Sequence, residues 1–310
     1  VVRERIDRGR VTTVSSLLDA ATVRIRDSGS GSPRLDAELI LGHVLGIDRV
    51  GVIAHPEAPV GDSAADRFEA SVERRVAGEP VAYILGVREF YGLAFVVDER
   101  ALVPRPETEI LVDAALDRIT RRLTGAPRPP GTLPLRVVDV GTGSGAIAVS
   151  LAVTLRRRGM AAEASIAASD ISDDALAVAV ENAVGHGVAD RIDLFAADLL
   201  SPLVETAWDV VIANLPYVTS AALDQAGPML AHEPRIALDG GADGLAVIGR
   251  LVAQLPVALA PGGIALLEIG EDQARGVVAL VEGDLPGARC EVVPDLTGRA
   301  RAVVIERAER

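Results

Sequence analysis

The chain has 310 residues and a mass of 32.2 kDa, enough for two domains of about 150 residues. Its 49% hydrophobic and 24% charged content excludes a disordered or collagen-like polymer. The 31 basic residues, all arginine, against 44 acidic ones leave a net charge of −13 and a pI near 4.8, the wrong sign for wrapping nucleic acid through broad phosphate contacts. The single cysteine, Cys290, excludes an intramolecular disulfide and a CxxC metal site.

In chain order, the opening VVRERIDRGR is charged and lacks the apolar centre of a signal peptide, which predicts a cytoplasmic location. The first dozen residues read as an extension. Apolar residues then recur at helical spacing: Val14, Leu17, Leu18, Ala21 and Ile25, and after the SGSGSP break Leu35, Leu39, Ile40 and Val44. A third helix is expected over Ser63 to Ala77, so residues 1–80 read as a small helical bundle. From Val81 short apolar runs broken by Gly86 and Gly92 predict a β-hairpin linker over 81–104. Pro104 and Pro106 stop it, a helix is expected from Glu107 to Leu123, and 124–134 reads as a surface loop.

From Leu135 onward strands and helices alternate. VVDV, SIAASD, RIDLFAAD, VVIANLPYV, GGIALLEIG and ARAVVIER read as strands, and AIAVSLAVTLRR and DDALAVAVENAV as crossover helices. The fold class expected for 105–310 is α/β, a parallel sheet with helices on both faces. The longest uncharged run, Leu251 to Leu267, contains Gln254, Pro256 and Pro261-Gly262-Gly263, so no membrane span is expected despite a mean hydropathy of +0.31.

The chemistry concentrates at strand ends. Gly141, Thr142, Gly143, Ser144 and Gly145 stand between strand VVDV and a helix, where glycines let a ligand approach the backbone and the helix start offers free N–H groups. With Ala146 the loop also satisfies the G-x-G-x-x-A pattern of nicotinamide enzymes. Asp139 before it would repel a pyrophosphate and suits a ligand bearing an amino group and a sulfonium, which favours S-adenosylmethionine. Asp170 closes the next strand, where it suits ribose hydroxyls, and Asp198, followed by Leu199, closes a third, where it suits an adenine amino group. Any one of these aspartates is equally a capping residue; three at successive strand ends argue for a ligand.

Asn214-Leu215-Pro216-Tyr217 follows a buried strand. The Asn side-chain oxygen and the carbonyl preceding the proline can both accept from one NH2 group, Pro216 holds Leu215 extended, and Tyr217 can stack on a planar group. The four histidines have no metal-ligand spacing, Trp208 reads as packing and Arg156 to Arg158 as a helix end. No Ser-His-Asp set and no phosphate-binding lysine loop can be assembled.

These motifs, with LDAELILGHVLG (35–46), GEPVAYILGVREFYGL (78–93), LVPRPETEILV (102–112), VVDVGTGSGAIAVSLA (137–152), NLPYV (214–218) and HEPRIALDGGADGL (232–245), resemble the release factor glutamine methyltransferases, the PrmC/HemK family. The resemblance implies a Rossmann-like S-adenosylmethionine-dependent methyltransferase sheet behind an N-terminal substrate-recognition bundle. It implies methyl transfer to the GGQ glutamine of bacterial peptide chain release factors, without membrane or direct nucleic-acid contact and without a metal. It assigns Asp139 and Gly141 to Gly145, Asp170, Asp198 with Leu199, and Asn214 to the cofactor, and Asn214, Leu215, Pro216 and Tyr217 to the reacting amide; the loop of Arg105 and Glu107 would help close the pocket. The family usually has proline where Leu215 stands, but the acceptor needed is a backbone carbonyl. Three other readings stay open: an adenine-N(6) nucleic acid methyltransferase using the same NLPY site, which the charge disfavours; a non-catalytic binding protein; and a nicotinamide oxidoreductase.

Overall fold

The computed structural model describes residues 12–125, 132–295 and 297–309; the opening extension up to residue 11 and the centre of the 124–134 loop lie outside them. Two compact units separate, one formed by 1–86 with 228–232 and the other by 87–227 with 233–310.

The first unit is helical: α1 (Val14–Asp27), α2 (Pro33–Leu45), α3 (Arg49–Ala54), α4 (Asp62–Val76) and α5 (Val81–Leu85). Thr13 caps α1 through a reciprocal bond with Ser16, and Gly46, at φ +69°, ends α2 in the left-handed conformation that glycine adopts without a steric cost. Leu18, Ile25, Ile40, Leu41, Phe68 and Val72 form its dry core. Within it Arg75 Nε bonds Asp36 at 2.8 Å, with Ser30 as a third partner, so that the buried charges are satisfied. The residues expected to open the hairpin, Val81–Leu85, are helical instead. Pro80 can precede a helix start, and Gly86 at φ +70° stops the turn after Leu85.

The second unit opens with the hairpin β1 (Val87–Phe90) and β2 (Leu93–Val96), whose Tyr91-Gly92 turn has positive φ at both residues, the twist that suits a two-residue hairpin. Then follow α6 (Glu109–Thr124), β3 (Leu135–Val140), α7 (Ala146–Arg157), β4 (Ala164–Asp170), α8 (Asp173–Gly185), β5 (Ile192–Ala196), β6 (Trp208–Ala213) and α9 (Ser220–Gln225). The short α10 (Pro228–Ala231) belongs to the first unit. The second unit continues with α11 (Ala246–Val252), α12 (Leu255–Ala258), β7 (Leu259–Glu268), α13 (Ala274–Asp284), β8 (Arg289–Pro294) and β9 (Ala300–Glu306).

The seven-stranded sheet runs β5-β4-β3-β6-β7-β9-β8. Its first five strands are parallel, as expected; β9 runs antiparallel to both of its neighbours, β7 and β8, and β8, not anticipated, forms the edge. Pro261 to Gly263 lie in the register jump that carries β7 from Leu259 opposite Trp208 to Ile264 opposite Val210. Side chains alternate across the sheet. Val138, Val140, Val211, Ala213, Ala265 and Leu267 join Leu251, Leu255, Val277 and Val281 of α11 to α13 in one core, and their chain neighbours face the other side, where α6 meets β6 and β7. With aromatics at 3% of the chain, this core is mainly aliphatic, with Trp208 its one buried aromatic and Tyr217 packed against it.

The chain winds outward from β3 to β5 and returns to β6, so the order reverses between β3 and β6. At such a switch point the loops leaving adjacent strands diverge and open a crevice at the carboxyl edge. Register keeps that edge level: Val140 stands opposite both Ser169 and Ala213.

Candidate active site

A cavity of about 910 Å³, counting its open mouth, lies at this edge within the second unit. Of the residues singled out in the sequence, Gly141, Gly143, Asp170, Asp198, Leu199, Asn214, Leu215 and Pro216 line it. Asp139, Thr142, Ser144, Gly145 and Tyr217 stand behind that wall and support it.

The glycine loop departs from β3 with positive φ at Gly141, Gly143 and Gly145. Gly141 and Thr142 donate their N–H groups to the Ser169 carbonyl, which ties the loop to β4. A Cβ on Gly141 would meet Leu215 Cδ2 at 2.9 Å and one on Gly145 would meet Ala179 at 3.1 Å, whereas at Gly143 the space is open. The Gly143 N–H donates to Asp170 Oδ2 at 2.8 Å, and Ser172 N–H donates to Asp170 Oδ1 at 3.0 Å, fixing the carboxylate at the cavity rim.

Asp139 is fully buried beneath the loop instead of touching the cavity. Its Oδ2 accepts from the Thr142 hydroxyl at 2.7 Å and from Ala148 N at 3.2 Å, while Oδ1 has no partner among the described residues. Burial pushes its pKa up to about 7, helped by the nearby charge of Asp170 and opposed by the two donors. Its contribution is to shape the loop. The Ser144 carbonyl is likewise taken, by Asn182 Nδ2 at 2.9 Å.

Asp198 pairs with Arg250 at 2.5 Å, and both line the cavity next to Leu199, whose φ of +57° is unusual for a branched side chain. Arg250 was not foreseen, nor were Arg100, Leu102, Ile171, Pro234, Ile236 or Val247 in the same wall. Arg105, expected at a closing loop, bonds the buried Glu233 at 2.5 Å, and Glu233 also accepts from Val103 N. That pair ties the VPRPETE segment to the HEPR segment.

Asn214 leaves β6 on the side of α6. Its Nδ2 donates to the Thr108 hydroxyl at 2.9 Å, so the bare oxygen Oδ1 is the side-chain atom left for the cavity. Leu215 is buried and, with Pro216, continues the wall. Tyr217 is turned away from the cavity: its ring packs on the core and its hydroxyl donates to Glu268 Oε1 at 3.3 Å. The pKa of Tyr217 is raised to about 12, by burial first and by the charge of Glu268. Glu268 is itself buried at the end of β7, and burial pushes its pKa up to about 7 against the stabilising hydroxyls of Thr108 and Tyr217 and the charge of Arg301. No described group of three His, Cys, Asp or Glu is placed to hold a metal, and no described helix is long and apolar enough to cross a membrane.

Known proteins place this architecture in a class. Residues 116–248 match the methyltransferase small domain. In fold the chain is similar to the hMettl16 catalytic domain solved with the MAT2A 3'UTR hairpin 6, at TM-score 0.52 and 15% identity, over 80% of this chain and 82% of that one. The fold is thus that of a methyltransferase domain, and S-adenosylmethionine would fit what is present at the crevice: a glycine cradle with open space at Gly143 and an oriented carboxylate on Asp170. Residues 16–86 match the PrmC N-terminal domain. The release factor glutamine methyltransferase of Moorella thermoacetica is 39% identical over 297 residues, spanning 96% of this chain and 99% of that protein. That of Deinococcus radiodurans is 38% identical over 292 residues, 94% and 98% respectively. The chain belongs to the release factor glutamine methyltransferase family.

Proposed function

We propose that this protein transfers a methyl group from S-adenosylmethionine to the side-chain nitrogen of the glutamine in the GGQ motif of bacterial peptide chain release factors, in the cytoplasm and without direct contact to nucleic acid. The observation that carries the reading is the orientation of Asn214. With its NH2 held by Thr108, its oxygen is presented at the cavity beside the Leu215-Pro216 segment. An acceptor there suits a substrate that brings an NH2 group.

An amide nitrogen is a poor nucleophile because its lone pair is delocalised into the carbonyl. The Asn214 oxygen and the Leu215 carbonyl each accept a hydrogen bond from the substrate NH2, which fixes the plane of the amide and aims its nitrogen at the methyl donor. Positioning of this kind supplies up to about 7 to 11 kcal/mol of a barrier. The bound cofactor supplies a methyl group made electrophilic by its sulfonium. The substrate nitrogen gains the methyl and loses one proton to water, so no side chain is needed as a dedicated base. Gly141, Gly143 and Asp170 would hold the methionine and ribose parts, and Leu199 with Asp198 the adenine edge.

The N-terminal unit recognises the release factor. A net charge of −13 steers the enzyme toward a partner that carries basic surface for its work on the ribosome. The test is transfer of a labelled methyl group to a purified release factor, with its GGA version and duplex DNA as alternative acceptors. Label on the intact factor alone is the expected result. Label on DNA, or equally on GGA, refutes the substrate assignment.

A further inference from the structure

Two asparagines, Asn182 and Asn214, are the only ones in the chain, and the orientation of the second decides what the cavity can bind. An amide can turn either its oxygen or its NH2 outward, and the two faces have opposite preferences for a partner. The choice is set by what stands behind it. Thr108 occupies the N-cap position of α6, yet its hydroxyl makes no capping bond to the helix. That hydroxyl accepts from Asn214 Nδ2 and is buried, with 4% of the residue exposed. Among the described residues no acceptor stands within hydrogen-bond geometry of its own proton. Glu268, 1% exposed, presents the complementary deficit: Oε1 accepts from Tyr217, while Oε2 has no donor. The Thr108 hydroxyl is nevertheless close enough to stabilise the charge on Glu268. A donor lacking an acceptor thus stands beside an acceptor lacking a donor.

We propose that Glu268 is a positioning residue of the methyl-transfer site: it takes the Thr108 proton on one oxygen and the Tyr217 proton on the other, and so holds both ends of the 214–217 segment with the Asn214 oxygen facing the substrate. This rests on the substrate reading above. Once ionised, above about pH 7, Glu268 can only accept, so the Thr108 proton points to Glu268 and the Thr108 lone pair points to Asn214 Nδ2. The direction of the chain follows from its buried end. A glutamine at 268 keeps one acceptor for two hydroxyls; with its NH2 on the Thr108 side, the Thr108 proton turns toward Asn214, whose oxygen follows it, and an NH2 is presented to an NH2. Glu268 touches neither substrate nor cofactor and acts only through its two neighbours.

The experiment compares wild type with Thr108→Val, Thr108→Ser, Glu268→Gln and Tyr217→Phe in three readouts: S-adenosylhomocysteine binding by calorimetry, kcat and KM for methylation of a release factor, and the side-chain amide signals of protein labelled with 15N-asparagine. Expected for Thr108→Val and Glu268→Gln is a fall in kcat of about 30-fold or more, with ligand affinity within about threefold of wild type. Thr108→Ser recovers most of that loss, and Tyr217→Phe gives a smaller one. In the spectra, which need no substrate, one Asn214 amide proton exchanges slowly in wild type and Thr108→Ser and rapidly in Thr108→Val. Wild-type kcat in Thr108→Val and Glu268→Gln overturns the proposal, as does a serine variant as impaired as the valine one, or loss of ligand binding in parallel with kcat. If wild type methylates no release factor while the amide signals behave as stated, the substrate reading fails and the positioning chain stands. If the Asn214 signals are alike in all variants, the chain is refuted whatever the activity.

Discussion

The side-chain amide of Asn182 in α8 reaches the glycine loop, where Nδ2 donates to the Ser144 carbonyl at 2.9 Å, and the same amide pairs with Val96 of the hairpin. Its Oδ1 accepts from Val96 N at 2.7 Å and Nδ2 donates to Val96 O at 3.0 Å, as a neighbouring strand would. One side chain, 2% exposed, therefore closes an open strand end and fixes the loop. Asn182→Ala leaves three backbone groups without partners. It is expected to destabilise the protein by roughly 2–4 kcal/mol, read by urea denaturation; a change within experimental error contradicts this account.

Gly141 and Gly143 separate under alanine substitution. Both have positive φ, which costs an L-residue about 1–2 kcal/mol. At Gly141 the added methyl also meets Leu215 at 2.9 Å, so Gly141→Ala shows the larger drop in Tm. At Gly143 the methyl finds open space on the cavity wall, so Gly143→Ala keeps more stability but loses cofactor affinity. Thermal melts with and without S-adenosylmethionine distinguish the two, and matching profiles would contradict the assignment of the loop.

Asp170 offers the cavity a carboxylate already oriented by Gly143 and Ser172. Its replacement by alanine removes a charged acceptor worth about 1.5–3 kcal/mol, so cofactor affinity measured by calorimetry falls about 10- to 100-fold. Asp170→Asn retains one acceptor and loses less.

Stability depends on pH through two buried carboxylates. Asp139 and Glu268 are each pushed up to about 7 by burial, above the value near 4 of an unfolded chain. Between about pH 4 and 7 the folded state holds protons that the unfolded state has released, so this contribution is full at the acid end and is lost as pH rises through about 7. Asp139→Asn cannot ionise. The Tm difference between it and wild type moves in favour of the variant as pH is raised from 5 to 8, about the span bracketing the shift; a pH-independent difference is incompatible with a buried ionising Asp139.

What was legible in the sequence was local. The glycine loop, the strand-end aspartates and the NLPY turn are short segments whose spacing alone sets their place on the parallel sheet, and eight of those residues do line the cavity. Asp139 and Tyr217 carried the right positions but not the right directions: the two-residue alternation turns Asp139 beneath its own loop, and Tyr217 is drawn away by Glu268. Thr108, Glu268, Asn182 and Arg250 gave no local signal because each acts on a residue far along the chain, Thr108 on Asn214 across 106 positions and Arg250 on Asp198 across 52. Strand β8 escaped because Arg289, Glu291, Val292 and Pro294 are exposed, which breaks the two-residue alternation and leaves its pattern weak, and Val81–Leu85 was misread because a five-residue apolar run is too short for its period to tell helix from strand.

The cavity wall is assembled from seven stretches of chain scattered between Arg100 and Arg250. No fragment ending before Arg250 owns the complete wall, so the pocket is finished only once most of the chain is in place. A chain whose cavity is whole has therefore already brought its distant segments home.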